Sequence, residues 1–142
     1  MTLLVSACLL GCPCRYDGRS VPCAAVLALM KKHTLIPVCA EQLGGLPTPR
    51  IPAERVGDEV IRQDGIPVTE AYRRGAEEVL RLARLYHADG AILKAKSPSC
   101  GTDEIYDGSH SRRLVPGMGV TTELLRENGF WVISENDLDK IP

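Results

Sequence analysis

The sequence has 142 residues, 44% hydrophobic and 25% charged, with a net charge of -1: enough for one compact domain with its own core, and no field for drawing in polyanions. No apolar run approaches the roughly 18 residues of a membrane-spanning helix, and Met1 to Leu10 lacks the basic start and cleavage site of an export signal. Six cysteines without such a signal predict a soluble, cytoplasmic protein whose thiols stay free or bind metal.

In chain order, Leu3 to Ala7 is a nearly continuous apolar run before a Gly/Pro-rich stretch, as expected of a parallel strand covered on both faces. From Val21 to Lys32, apolar residues at helical spacing end in Lys31 and Lys32, where the dipole favours cations, and predict a helix. Thr34 to Val38 reads as a second buried strand, although Pro37 removes a ladder donor. Leu43 to Ala53 is a Gly/Pro loop, and Arg55 to Pro67 predicts a hairpin turning at Asp64-Gly65.

Thr69 is read as the N-cap of the longest helix, which runs to about His87. Gly90 to Lys94 is a third strand, leading into the tight loop Ser97-Pro98-Ser99-Cys100-Gly101. A turn-rich section with Asp107-Gly108 and Gly117-Met118-Gly119 precedes a helix over Thr121 to Asn128 and a last strand, Phe130 to Ile133. This alternation predicts a single α/β domain over residues 1–142. It is Rossmann-like, with a mainly parallel sheet flanked by helices and two small hairpin insertions, and binds its ligand at the carboxyl ends of the strands.

Three of the predicted strands end in Cys8, Cys39 and Cys100, so one sheet edge presents three thiols from distant loops. Three thiolates suit a tetrahedral zinc or three irons of a cubane, each leaving one position open for chemistry. Zinc is disfavoured because no CxxC knuckle is present. Isolated cysteines also fill small apolar sites, which is the reading for Cys23, while Cys12 and Cys14 are taken as incidental.

The segments SACLLG at Ser6 to Gly11, CRYDG at Cys14 to Gly18, EQLGGLPTPR at Glu41 to Arg50 and SPSCG at Ser97 to Gly101 resemble the thiouracil desulfurase family. IYDG at Ile105 to Gly108 and LLRENG at Leu124 to Gly129 extend the likeness over nearly the whole chain. The resemblance implies a [4Fe-4S] cluster on Cys8, Cys39 and Cys100, with the fourth iron free for the sulfur of a thiolated pyrimidine. The implied reaction is a non-redox exchange in which water replaces the thiocarbonyl sulfur and thiouracil becomes uracil. Ala40 departs from the family's frequent proline in PVCPE, which gives the loop holding Cys39 and Glu41 more freedom.

Attack by water needs a base. Glu41, two residues past Cys39, is the first candidate; Asp17 in RYDG is the second, although Asp-Gly is also a turn former. Ser97 and Ser99 carry hydroxyls suited to the pyrimidine edge or to cluster sulfurs, with Ser99 taken as a site residue. Lys94 leaves the third strand toward the site, Lys96 is expected to be solvated, and His33, His87 and His110 are expected at solvated turns or helix ends. The expected partner is a small thiolated nucleobase; the small patch Arg112-Arg113 does not favour a nucleic acid, and no membrane partner is expected. The alternatives are a protein that stores zinc or a cluster without catalysis, and a thiol redox protein using Cys12 and Cys14, whose CPC spacing is not that of thioredoxin-type sites.

Overall fold

A computed structural model describes residues Met1 to Pro142 as one α/β domain. Its central sheet has four parallel strands, β1 (Thr2–Ser6), β2 (Thr34–Val38), β5 (Gly90–Leu93) and β8 (Trp131–Ser134), in the order β2-β1-β5-β8. Two antiparallel hairpins stand apart from it: β3 (Ala53–Val56) with β4 (Glu59–Arg62), and β6 (Glu104–Tyr106) with β7 (Leu114–Pro116). The helices are α1 (Ala24–Ala28), α2 (Ala40–Leu43), α3 (Thr69–Leu85) and α4 (Val120–Glu127).

The sheet separates two apolar layers, and the period-2 alternation of the strands assigns residues to each. Leu4, Ala91, Leu93 and Val132 face α3 and α4, where Val79, Leu80, Ala83 and Leu125 are buried. Leu3, Val5 and Ile92 face the other way, onto Leu9, Val26 and Cys14. The two inner strands are covered on both faces, which explains the continuous apolar runs of β1 and β5. Pro37 is tolerated because β2 is an edge strand, so its missing N–H breaks no internal ladder.

Four expectations change. The predicted helix from Val21 is held extended through Cys23, because Pro22 disfavours helical geometry at Val21. Val21 and Cys23 instead donate to the carbonyls of Cys8 and Leu9, and α1 begins only at Ala24, ending in a tight 3-10 turn over Leu29–Lys31. The first hairpin turns at Gly57-Asp58, where Gly57 takes a φ of 60°; Asp64-Gly65 makes a second turn that lays Pro67 back against Ile61. Thr69 does not cap α3: Val68 precedes the helix, and the Thr69 hydroxyl accepts from the Val60 N–H at 3.0 Å, tying α3 to β4. His110 is not at a solvated turn, since its ring lies 3.4 Å from the Glu54 carboxylate, which also accepts from the His110 and Gly108 N–H groups.

Candidate metal centre

The strand order steps outward from β1 to β2 and then crosses to β5 and β8 on the other side. The switch point lies between β1 and β5, where doubly wound sheets open a crevice at their carboxyl ends. Cys8 sits in the 3-10 turn Ala7–Leu10 directly after β1, Cys39 directly after β2 as the residue preceding α2, and Cys100 in the loop after β5. All three expected ligands therefore lie at one end of the sheet. Cys8 is buried, while Cys39 and Cys100 are partly exposed.

The thiol of Cys8 feels the charge of Cys100 and Cys39, and that of Cys100 feels the charge of Cys39. Cys8 is held below the ordinary thiol range by the neighbouring Cys14 thiol, with Lys94 adding to the effect against burial. Cys39 is pushed up by its contact with Cys14 and then by burial. Burial pushes Cys100 up to about 12, against contacts with Ser6 and Ser99 that favour its thiolate. Crowded thiolates repel one another, and a cationic centre relieves that repulsion while stabilising all of them.

The donor set is soft, sulfur-only and spread over three loops. No group of three or more His, Cys, Asp or Glu is arranged to hold a single metal ion. A tetrahedral zinc needs its thiolates about 2.3 Å from one centre; a cubane distributes its ligands over separate irons and so fits a wider set of thiols.

Cys14, expected to be incidental, lies inside the layer that also holds Cys8. It is buried at 5% exposure, and its carbonyl oxygen lies 3.8 Å from the Cys39 sulfur. Cys12 is exposed, and Cys23 packs at the edge of the α1 layer.

Glu41 lies in the first turn of α2, and its charge is felt at Cys39 and Cys100. Tyr72 of α3 donates to one carboxylate oxygen and Arg50 to the other. Arg50, with a side chain only 6% exposed, also donates to the Cys14 carbonyl at 2.9 Å and to the Thr48 hydroxyl at 3.0 Å. Its backbone N–H donates to the Tyr16 carbonyl at 2.8 Å. Arg50 thus joins the RYDG segment, the Pro47–Pro49 loop and Glu41. It also walls a cavity of about 240 Å³ shared with Leu46, Ile51, Val68 and Tyr72.

Helix α2 is placed by close backbone contact with α3. A Cβ on Gly75 would fall 1.9 Å from the Ala40 carbonyl oxygen, and one on Gly44 would fall 2.0 Å from that of Ala71. Ala40 itself is buried at the start of α2. The alanine expected to free this loop is restrained by the glycine contact.

Ser99 is buried, and its hydroxyl shares a 2.8 Å hydrogen bond with Thr121, anchoring the Cys100 loop to the start of α4. The Ser97 oxygen accepts from the N–H groups of Ser99 and Cys100, both at 3.1 Å, so its own hydrogen stays free to donate. Asp17 accepts from the Arg19 N–H at 3.0 Å and pairs with Arg15, closing the RYDG turn. Lys94 pairs with Glu135 at 2.8 Å.

Sequence reasoning missed Arg50, Tyr72, Cys14 and Thr121. Arg50 stood inside the EQLGGLPTPR segment without a role, and Tyr72 was indistinguishable from any core position of an amphipathic helix.

The family model for 2-thiouracil desulfurase matches residues 3–137. An uncharacterised protein of Bacillus subtilis (strain 168), YbbK, is 40% identical over 149 residues, covering 98% of this chain and 99% of that protein. Among solved structures, the [4Fe-4S]-dependent thiouracil desulfidase TudS superposes with a TM-score of 0.92 at 44% identity, over 97% of this chain and 93% of that one. With the model spanning nearly every residue from β1 to the last 3-10 turn, this chain belongs to the 2-thiouracil desulfurase family.

Proposed function

We infer that this chain is a cluster-dependent desulfurase that replaces the thiocarbonyl sulfur of a small thiolated pyrimidine, such as 2-thiouracil, with oxygen from water. The reaction balances as thiouracil and water giving uracil and hydrogen sulfide, with no change of oxidation state. The observation that carries this reading is the convergence of Cys8, Cys39 and Cys100 at the switch point, with Glu41 clamped beside Cys39.

Cys8, Cys39 and Cys100 would hold a [4Fe-4S] cluster. When bound, it supplies a Lewis-acidic iron suited to a soft thiocarbonyl sulfur. The chain supplies the rest. Each Glu41 oxygen accepts one hydrogen bond, from Tyr72 or Arg50, and keeps a lone pair for the proton of the attacking water. Fixing both oxygens orients the carboxylate before reaction, which removes reorganisation from the barrier. The free hydrogen of Ser97 is available to the ring oxygen or nitrogen of the pyrimidine, while Ser99 holds the Cys100 loop in place. Asp17 ranks behind Glu41 because its carboxylate closes a turn.

A free base suits the charge of the chain better than a nucleic acid, since a net charge of -1 gives no attraction for phosphates. Six unpaired thiols suit a cytoplasmic setting. The test is sulfide release from 2-thiouracil by anaerobically reconstituted protein. Turnover that requires both the cluster and Glu41 supports the reading; a cluster without turnover would make this a storage or sensor protein.

A further inference from the structure

We propose that Arg55 is a positioning residue for Cys100: from β3 it fixes the start of α4, which carries the Cys100 loop, and so sets that ligand relative to Glu41. This rests on the reading that Cys8, Cys39 and Cys100 hold a cluster.

The loop that carries Cys100 is closed against the first turn of α4. The Pro98 carbonyl accepts from the Val120 N–H at 3.0 Å, the Ser99 carbonyl from the Thr121 N–H at 2.9 Å, and the Gly101 carbonyl from the Gly119 N–H at 2.8 Å. The Cys100 carbonyl itself accepts from the Thr122 hydroxyl at 2.8 Å. Gly119 precedes the helix and has no side chain to cap it, so the loop carbonyls satisfy N–H groups that a helix start leaves open. The approach is so close that a Cβ on Gly119 would fall 2.2 Å from the Ser99 carbonyl carbon. The Cys100 loop and the start of α4 are therefore one packed unit.

Arg55 holds that unit from outside, with a side chain only 12% exposed. One guanidinium nitrogen donates to the carbonyl of Met118, the residue before Gly119, at 2.8 Å, and another pairs with Glu123 in the first turn of α4. Its Nε donates to the Gly57 carbonyl at 2.8 Å and so anchors the arginine to its own hairpin. Three directed donors fix the orientation of the group as well as its distance. Arg50, five residues earlier on the same stretch of chain, holds Glu41 in the same manner. In the sheet, β1 separates β2 from β5, so Glu41 with Cys39 and the Cys100 loop follow strands that do not pair with each other. The stretch from Arg50 to Arg55 links the two.

The test is the rate at which a chelator strips iron from the reconstituted full-length protein, for wild type, Arg55→Met, Thr122→Val and the double variant. Thr122→Val removes the contact with the Cys100 carbonyl in a side chain of nearly the same shape. Each single variant should release iron about tenfold faster, the effect of one lost hydrogen bond with a buried partner left unpaired. Because both act on one loop, the double variant should also release iron about tenfold faster rather than a hundredfold. In Arg55→Met, kcat for sulfide release should fall with KM little changed, since the base and the iron lose their alignment. Arg62→Met breaks an ion pair with Asp64 that reaches neither α4 nor the Cys100 loop, and should release iron at the wild-type rate. If Arg55→Met does not fold, Glu123→Gln, which weakens the same contact from the α4 side, takes its place. A wild-type release rate in Arg55→Met overturns the proposal, as do effects that multiply in the double variant or an equal acceleration in Arg62→Met. Wild-type protein that takes up no cluster overturns the desulfurase reading itself, a different result from any of these.

Discussion

The guanidinium of Arg50 donates to the Cys14 carbonyl at 2.9 Å while pairing with Glu41, so one buried side chain fixes both the loop beside the thiols and the carboxylate that faces them. Arg50→Met removes this pair and leaves Glu41 partly buried with Tyr72 as its one remaining donor. Breaking a buried pair in this way costs about 3 kcal/mol, read as a lower denaturation midpoint. Sulfide release should fall more than stability explains. Arg50→Lys should recover little, because a point charge cannot serve Glu41, Thr48 and Cys14 together.

Glu41→Gln keeps the shape of the side chain but cannot take a proton. Iron content should be unchanged, while turnover falls by roughly 10²- to 10⁴-fold, the usual contribution of a general base. Asp17→Asn should leave turnover within a few-fold of wild type, since its turn hydrogen bond survives in the amide. A reversal of these two outcomes, read in single-turnover sulfide release, would assign the base to Asp17.

Gly75→Ala tests how α2 is positioned. The new Cβ meets the Ala40 carbonyl at 1.9 Å, so α2 must move, and with it Cys39 and Glu41. Overpacking of this kind costs about 1–3 kcal/mol, and cluster occupancy after reconstitution should fall with it. An exposed helix position such as Glu77→Ala on α3 serves as the control, with unchanged occupancy.

Among the cysteines, Cys12→Ser and Cys23→Ser should bind iron normally, since one is exposed and the other packs at the edge of the α1 layer. Cys8→Ser and Cys100→Ser should each lose the cluster, read as loss of the visible absorption of the reconstituted protein.

The strands were legible in the sequence because short apolar runs mark buried parallel strands, and Cys8, Cys39 and Cys100 each follow one of these runs along the chain. The sheet order β2-β1-β5-β8 then makes a single crevice of three sites far apart in the chain. The polar clamp was less legible. Arg50 and Tyr72 reach Glu41 across separations of 9 and 31 residues, and no local pattern records such a contact. The role of Thr69 was misread for a related reason: a threonine at a helix start is ordinarily a cap, and only the tertiary position of Val60 turns its hydroxyl outward. The shift of the first hairpin turn from Asp64-Gly65 to Gly57-Asp58 reflects two competing turn signals in one short stretch, decided by the pairing of Arg55 with Val60.

The most direct test is the iron and acid-labile sulfide content of anaerobically reconstituted protein, measured alongside sulfide release from 2-thiouracil, for wild type and for Cys39→Ser. Iron and sulfide at cubane stoichiometry with turnover in the wild type, and loss of both in Cys39→Ser, is the predicted result. Zinc in place of iron, or full sulfide release from the serine variant, would contradict it.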